Sequence, residues 1–307
     1  MPHPLIAQLL SKFGGREGPS QCIGLDTGSS SIQGVKLRRA DGQPEVLQAE
    51  AAVFPPGSDA ARRGETIRQV AEKLGFPETP LVACVGGPGT VLRRVVFPKM
   101  TREELRSALT FEAEKYIPFK LNEIFFDFSI LGDRAGGQME VLLAAARKEL
   151  VNELLDLLSP LGMPLAVGLE MGALANAWEA APVAGEGVTG LLHIGGRGTV
   201  LDFLRDSQME FAREIPVGGS EFAQAPPGSQ AAWEEWLSQC RVSFDFYENE
   251  FGRRVERLVL SGEAARLQGF KEWVQESSGL PVQIWDPFSQ GPSYAVAIGL
   301  ALQGAAA

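Results

Sequence analysis

The sequence predicts an α/β protein built around a duplicated unit. Short apolar strands alternate with amphipathic helices along 307 residues, as expected of mixed layers sharing a core. Two strand, glycine-turn, strand segments recur far apart in the chain. The length also exceeds what a single core usually holds and points to about two domains.

Residues 22–37 read strand, tight turn, strand: Ile23 and Leu25 alternate, Gly28-Ser29-Ser30-Ser31 turns the chain, and Ile32, Val35 and Leu37 follow. Residues 45–54 form a third strand, 60–74 a helix and 81–85 a short buried strand. A second module begins near Phe97. There Thr101 and Glu104 make a T-x-x-E capping box. The helix behind it sets Leu105, Ala108, Leu109, Ala113 and Tyr116 on one face, and Pro118 stops it. Strands at 124–131 and 139–145 flank Gly136-Gly137, and a helix covers 148–158. From Val188 the pattern repeats: 190–204 is strand, glycine turn, strand, followed by a helix at 231–251 and a strand at 258–260 running into Ser261-Gly262. A helix at 270–277, a strand at 282–285 and a terminal helix at 294–302 complete the chain.

Composition excludes several classes. With 38 acidic against 28 basic residues the net charge is −10, a poor match to general nucleic-acid binding or anionic lipid. Cys22, Cys84 and Cys240 are odd in number and widely spaced, so neither a zinc site nor a disulfide framework is indicated and a reducing, cytoplasmic setting fits. The two histidines are His3 and His193. A histidine metal cluster is thereby excluded, and His193 has no evident nucleophile beside it. The longest uncharged stretch, 287–307, is apolar only over 294–302, short of the roughly 20 residues a bilayer span needs. Residues 1–20 lack the marks of a secretory signal. They carry Leu5, Ile6, Leu9, Leu10 and Phe13 at helical spacing and are read as a flexible tail.

The two glycine turns can be laid over each other. Asp26-Thr27-Gly28-Ser29 corresponds to His193-Ile194-Gly195-Gly196, an offset of 167 residues. A repeat of this kind suggests a duplicated fold with a cleft between its halves. Facing turns that present backbone N–H groups make a cradle for phosphate.

The string Ile23-Gly24-Leu25-Asp26-Thr27-Gly28-Ser29-Ser30-Ser31 resembles the first phosphate loop of the actin-like type IV pilus assembly protein PilM family, relatives of FtsA. The similarity continues in order. Phe97-Pro98-Lys99-Met100 leads to Glu112-Ala113-Glu114-Lys115-Tyr116-Ile117-Pro118-Phe119, which is similar to the family's E-x-x-x-Y-I-P-F helix end. The stretch from Glu170 to Ala177 resembles the return to the first domain, Arg213-Glu214-Ile215-Pro216-Val217-Gly218-Gly219 the REI-x-x-GG segment, and Leu260-Ser261-Gly262 the adenosine motif.

The resemblance implies an actin-like fold of duplicated ribonuclease H-like halves. Subdomain 1A would cover 21–97, completed by 168–182 and 288–307. An inserted subdomain 1C would cover 98–167, and 2A with a trimmed 2B would cover 183–287, with 2B reduced to about 220–255. It implies ATP and Mg²⁺ as ligands, with Asp26 facing the metal. The nucleotide would meet Asp26, Gly28, Ser29, Ser30, Ser31, Gln33, Gly195, Gly196, Thr199, Gly218, Gly219, Ser261 and Gly262. It also implies a protein on the cytoplasmic face of the inner membrane. There it would grip the N-terminal peptide of a PilN-like membrane protein between 1A and 1C, beside other pilus platform or motor components. The same fold leaves two alternatives: an ATP-binding switch of that platform, and the cytoplasmic domain of a GspL-like type II secretion protein.

Departures from the family pattern cluster on the nucleotide site. The acid that opens the second loop is His193, and an imidazole serves Mg²⁺ badly. The first loop's lysine is Gln33, the returning strand's aspartate is Gly168, and LSGG is Leu260-Ser261-Gly262-Glu263. Ser220 to Val242, interrupted by Pro226-Pro227-Gly228, is too short for the family's 2B helices. Phosphoryl transfer relies on metal and positive charge, so the expectation is no enzyme in practice, a pseudo-ATPase with no catalytic residues whose site retains at most weak nucleotide binding.

Overall fold

In a computed structural model, residues 19–305 are described apart from 41, 56, 207 and 225–229. The expected N-terminal tail, except for its last two residues, and Pro226-Pro227-Gly228 lie outside the described residues. Strands β1 (Gln21–Thr27) and β2 (Ser31–Ala40) pair antiparallel across the serine turn, with Asp26 opposite Gln33. Strand β3 (Gln43–Val53) extends the hairpin; β4 (Leu81–Val85) and β8 (Ala166–Leu169) add in parallel, giving the order β3-β2-β1-β4-β8.

The second half repeats this plan. Strands β9 (Val188–Ile194), β10 (Thr199–Arg205), β11 (Gln208–Ile215), β12 (Val255–Gly262) and β13 (Val282–Ile284) pair in the order β11-β10-β9-β12-β13, with the same antiparallel and parallel senses. The offset of 167 carries the first strand, Gln21–Thr27, onto Val188–Ile194. The duplication read from two turns is therefore present in the sheets.

Between β4 and β8 lies a third sheet of β5 (Thr90–Pro98), β6 (Ile124–Arg134) and β7 (Gln138–Arg147), in the order β5-β7-β6. Helix α2 (Arg102–Glu112) covers it through Leu105 and Leu109, and Thr101 and Glu104 close the capping box reciprocally. The helix gives way to a 3₁₀ turn at Ala113–Lys115, ahead of Pro118, which seats Ala113 and Ile117 in the core. Strand β5 pairs with β7 rather than with the first sheet. The sequence reading, which began the second module near Phe97, had no strand there, because Arg93-Arg94 interrupts the apolar run. Arg94 is satisfied at a distance, donating to Met209 O at 3.1 Å across the seam between the halves.

Helices α1 (Ala60–Lys73), capped by Asp59, and α3 (Lys148–Leu157) flank the first sheet. Helix α8 (Ala295–Gly304) is buried from Ala295 to Leu302. It lies between β1 and helix α4 (Glu170–Ala180) at backbone distance. A Cβ on Gly24 would sit 1.9 Å from Ala297 O, and one on Gly299 would sit 1.8 Å from Ala173 O. Only hydrogen at those two positions permits the approach.

The second half packs an aromatic core instead. Helices α5 (Gly219–Gln224), α6 (Ala231–Phe251) and α7 (Phe270–Ser278) cover its sheet, with Phe203 stacked on Tyr247 at 4.4 Å and Trp236 against Phe270 at 5.3 Å. Among the described residues no helix is long and apolar enough to cross a membrane.

Candidate functional site

The β1–β2 and β9–β10 turns face each other across a cleft of about 440 Å³. Asp26, Gly28, Ser29, Ser30, Ser31 and Gln33 line it from the first half. Gly195, Gly196, Thr199 and Gly262 line it from the second. The remaining residues expected there stand behind the wall. Gly219 N–H donates to Gly195 O at 2.8 Å, and a Cβ on Gly218 would lie 2.6 Å from that same oxygen, so this pair buttresses the second turn. Ser261 is fully buried and donates to Pro292 O at 2.8 Å. The Thr199 hydroxyl is also committed, donating to Val217 O at 2.8 Å and accepting from Trp236 Nε1 at 2.9 Å.

Glu263 crosses the cleft. Gly262 adopts φ of 86°, in the left-handed region that favours glycine, and turns the end of β12 so that the next side chain points at the first loop. The Glu263 carboxylate accepts from the Ser31 hydroxyl, from Gln33 Nε2 at 3.0 Å and from Ser30 Oγ at 3.4 Å. The turns also touch directly, since a Cβ on Gly196 would meet Ser29 Oγ at 2.3 Å.

The floor of the cleft is acidic and low in polarity. Burial, then the neighbouring Glu263 charge, pushes Asp26 up to about 7. Glu170 is raised well above the usual carboxylate range, by burial first and then by Asp26, Glu214 and Asp202. Asp202 is completely buried, neither of its oxygens has a partner among the described residues, and burial followed by Glu214 raises it well above its ordinary value. Glu214 is raised by burial; its Oε1 accepts from Gly87 N–H at 2.7 Å and lies 3.0 Å from Thr90 Oγ1. His193, at the position equivalent to Asp26, is lowered to about 4 by burial. Its Nδ1 lies 3.1 Å from Ser261 Oγ, whose proton goes to Pro292, so Nδ1 carries the ring proton. With His193 neutral near pH 7, its 3.9 Å approach to Glu170 is not an ion pair. His193 is thus a packed, hydrogen-bonded histidine at a strand end.

Two arginines add positive charge that the sequence reading did not single out. Arg197 lines the cleft from the second turn, and Arg63 donates to Gly28 O at 2.9 Å. Burial, then the Arg197 charge, holds Arg63 below its ordinary value. Asp202 and Glu214 also escaped that reading. The available signal was a lone acid inside the apolar run of β10, whose pleat shares a face with Glu214 across the β10–β11 pairing. Among the described residues no three His, Cys, Asp or Glu side chains converge as metal ligands. Chemically, Ser30, Ser31 and Gln33 of the first turn are spent on a carboxylate of the same chain, and burial holds the floor's carboxyl groups above their ordinary range.

A family model described as type IV pilus assembly protein PilM matches residues 24–226. Among solved structures, a PilM–PilN type IV pilus biogenesis complex superposes with a TM-score of 0.79 and 23% identity, covering 93% of this chain and 99% of that one. The cytoplasmic domain of EpsL, an inner-membrane component of the Vibrio cholerae type II secretion system, gives 0.51 at 15% identity, covering 92% and 95%. A Bacteroides thetaiotaomicron protein of actin-like ATPase fold gives 0.51 at 10% identity, covering 94% and 99%. These likenesses show the fold, actin-like and duplicated.

Proposed function

The chain belongs to the type IV pilus assembly protein PilM family, and we propose that it serves there as a scaffold with little or no ATPase activity. It would sit on the cytoplasmic face of the inner membrane and capture the N-terminal peptide of a PilN-like protein. One observation carries the pseudo-ATPase part: Ser30, Ser31 and Gln33 of the first turn are bonded to Glu263, where a nucleotide phosphate would need them. The residues fit ATP and Mg²⁺ poorly. Burial disfavours the charged forms of Asp26 and Glu170, His193 replaces an acid, and among the described residues no lysine lines the cleft. No step of phosphoryl transfer is derived for such a site.

The peptide-binding part is supported by the solved PilM–PilN complex, which this chain resembles over nearly its whole length. It is also supported by the seam between the first sheet and the inserted one. There Phe125 and Phe126 stand half-buried on neighbouring β6 positions, Phe125 toward the core of the first half and Phe126 toward that of the insert. Strand β6 is an outer strand of its sheet, and an extended peptide binds such places by main-chain pairing with apolar anchors.

The test measures two things on the purified protein. Calorimetry with ATP and Mg²⁺ should show no heat, and an ATPase assay no turnover. A fluorescent peptide copying the cytoplasmic N-terminus of the PilN-like protein should bind, and Phe125→Ala should weaken it about 10-fold. Ordinary magnesium-dependent turnover would favour the nucleotide-switch alternative, and a peptide that does not bind would sink the scaffold reading.

A further inference from the structure

We infer that Glu263 is a built-in anion for the first turn, a latch that holds the two halves together and must be displaced before any phosphate group can enter. This deepens the scaffold reading and rests on it. Two sets of observations carry the inference. The first is the seat itself. Glu263 comes from the second half, and all three of its partners, Ser30, Ser31 and Gln33, come from the first. A second carboxylate repeats the arrangement: Glu214 of β11 accepts from Gly87 N–H of the first half. The turns also touch at Gly196 and Ser29, so the two halves meet at the cleft as well as through these carboxylates.

The second set concerns what remains unused. Ser29 Oγ is buried and has no partner among the described residues. Arg197 lines the cleft, and its charge acts on Arg63, whose guanidinium holds the turn at Gly28 O. A buried hydroxyl without a partner and two cations close enough to repel are unfavourable together, and an external anion would relieve both. Glu263 accepts from Ser30 and Ser31 and leaves Ser29 Oγ without a partner among the described residues. The turn therefore keeps the donor chemistry of a phosphate site while its own chain supplies the competing acceptor. A charged competitor of this kind makes the cleft closed by default and openable at the cost of Glu263's contacts to Ser30, Ser31 and Gln33.

The test compares wild-type protein with Glu263→Gln and Ser31→Ala, each first shown to unfold cooperatively. Hydrogen exchange is followed for amides of residues 28–33 and 195–198, and inorganic pyrophosphate is titrated by calorimetry. Glu263→Gln is expected to speed exchange in the first turn by about 10- to 100-fold, the loss expected of a hydrogen bond to a charged group. It should also raise pyrophosphate affinity at least about 10-fold by removing the competitor and its charge. Ser31→Ala keeps the carboxylate and should speed exchange by a smaller factor; it decides the exchange arm should Glu263→Gln fail to fold. Unchanged exchange in the turn, or unchanged pyrophosphate affinity in a folded Glu263→Gln, would overturn the latch. Neither outcome depends on ATP turnover by the wild-type protein, which tests the scaffold reading separately.

Discussion

The two halves share a strand order and differ in how they hold themselves together. The first closes its core with glycine-permitted backbone contact, α8 wedged between β1 and α4. The second closes with rings, Phe203 on Tyr247 and Trp236 on Phe270. Their turns differ as well. Position 26 is a carboxylate raised to about 7 and position 193 an imidazole lowered to about 4, so burial disfavours the charged form of two different groups. The comparison teaches that the duplicated topology follows from apolar alternation and holds with either chemistry at the turn. What the turns bind is decided by a few side chains, Glu263 first among them.

The largest expected effect breaks the first half alone. Gly299→Leu drives a side chain into the α4 backbone and should abolish cooperative unfolding, a loss above about 4 kcal/mol. A variant that lost less than about 1 kcal/mol in urea would show that close approach is not what this half requires. Next, His193→Asp makes the second turn chemically like the first. A new buried carboxylate beside Glu170 should cost about 3 kcal/mol at pH 8 and less at pH 5, where it is protonated. Chemical denaturation at both pH values checks this, and a pH-independent loss would point to packing instead.

Asp26→Asn should act in the opposite direction. An unfolded aspartate is ionised above pH about 4, whereas Asp26 keeps its proton up to about 7. Between those limits the folded state binds more protons, so wild-type stability falls as pH rises. Discounted for partial exposure, the substitution should add about 2 kcal/mol at pH 8, raise Tm by roughly 4 °C and flatten the pH profile. The smallest effect belongs to the insert. Thr101→Ala removes a capping box and should cost about 1 kcal/mol, with PilN-peptide affinity unchanged.

Much of the fold was legible because hydropathy alternation is local. Strands β1, β2 and β4, the capped helix α2 and the long helix α6 each announce themselves within a few residues. The elements not legible are the ones whose partners are distant. Strand β5 carries Arg93-Arg94, with Arg93 bonded to Tyr116 O and Arg94 to Met209 O of the other half, and β11 carries Glu210, Arg213 and Glu214, which meet Tyr247, Ser243 and Gly87.

The sequence by itself determined the duplication, the family, and the loss of a lysine at Gln33 and an acid at His193. It marked Glu263 as a misplaced charge. Only the tertiary structure decided that this charge sits on the first turn's serines, that Gly218, Gly219 and Ser261 support the cleft from behind, and that Asp202 lies buried with no partner among the described residues. The physical reason is one of range. Periodicity and turn chemistry act between neighbours in the chain. Hydrogen-bond partners and desolvation come from residues far apart in the chain, and they exist only once each half has folded and, for Glu263, once the two halves have closed on each other.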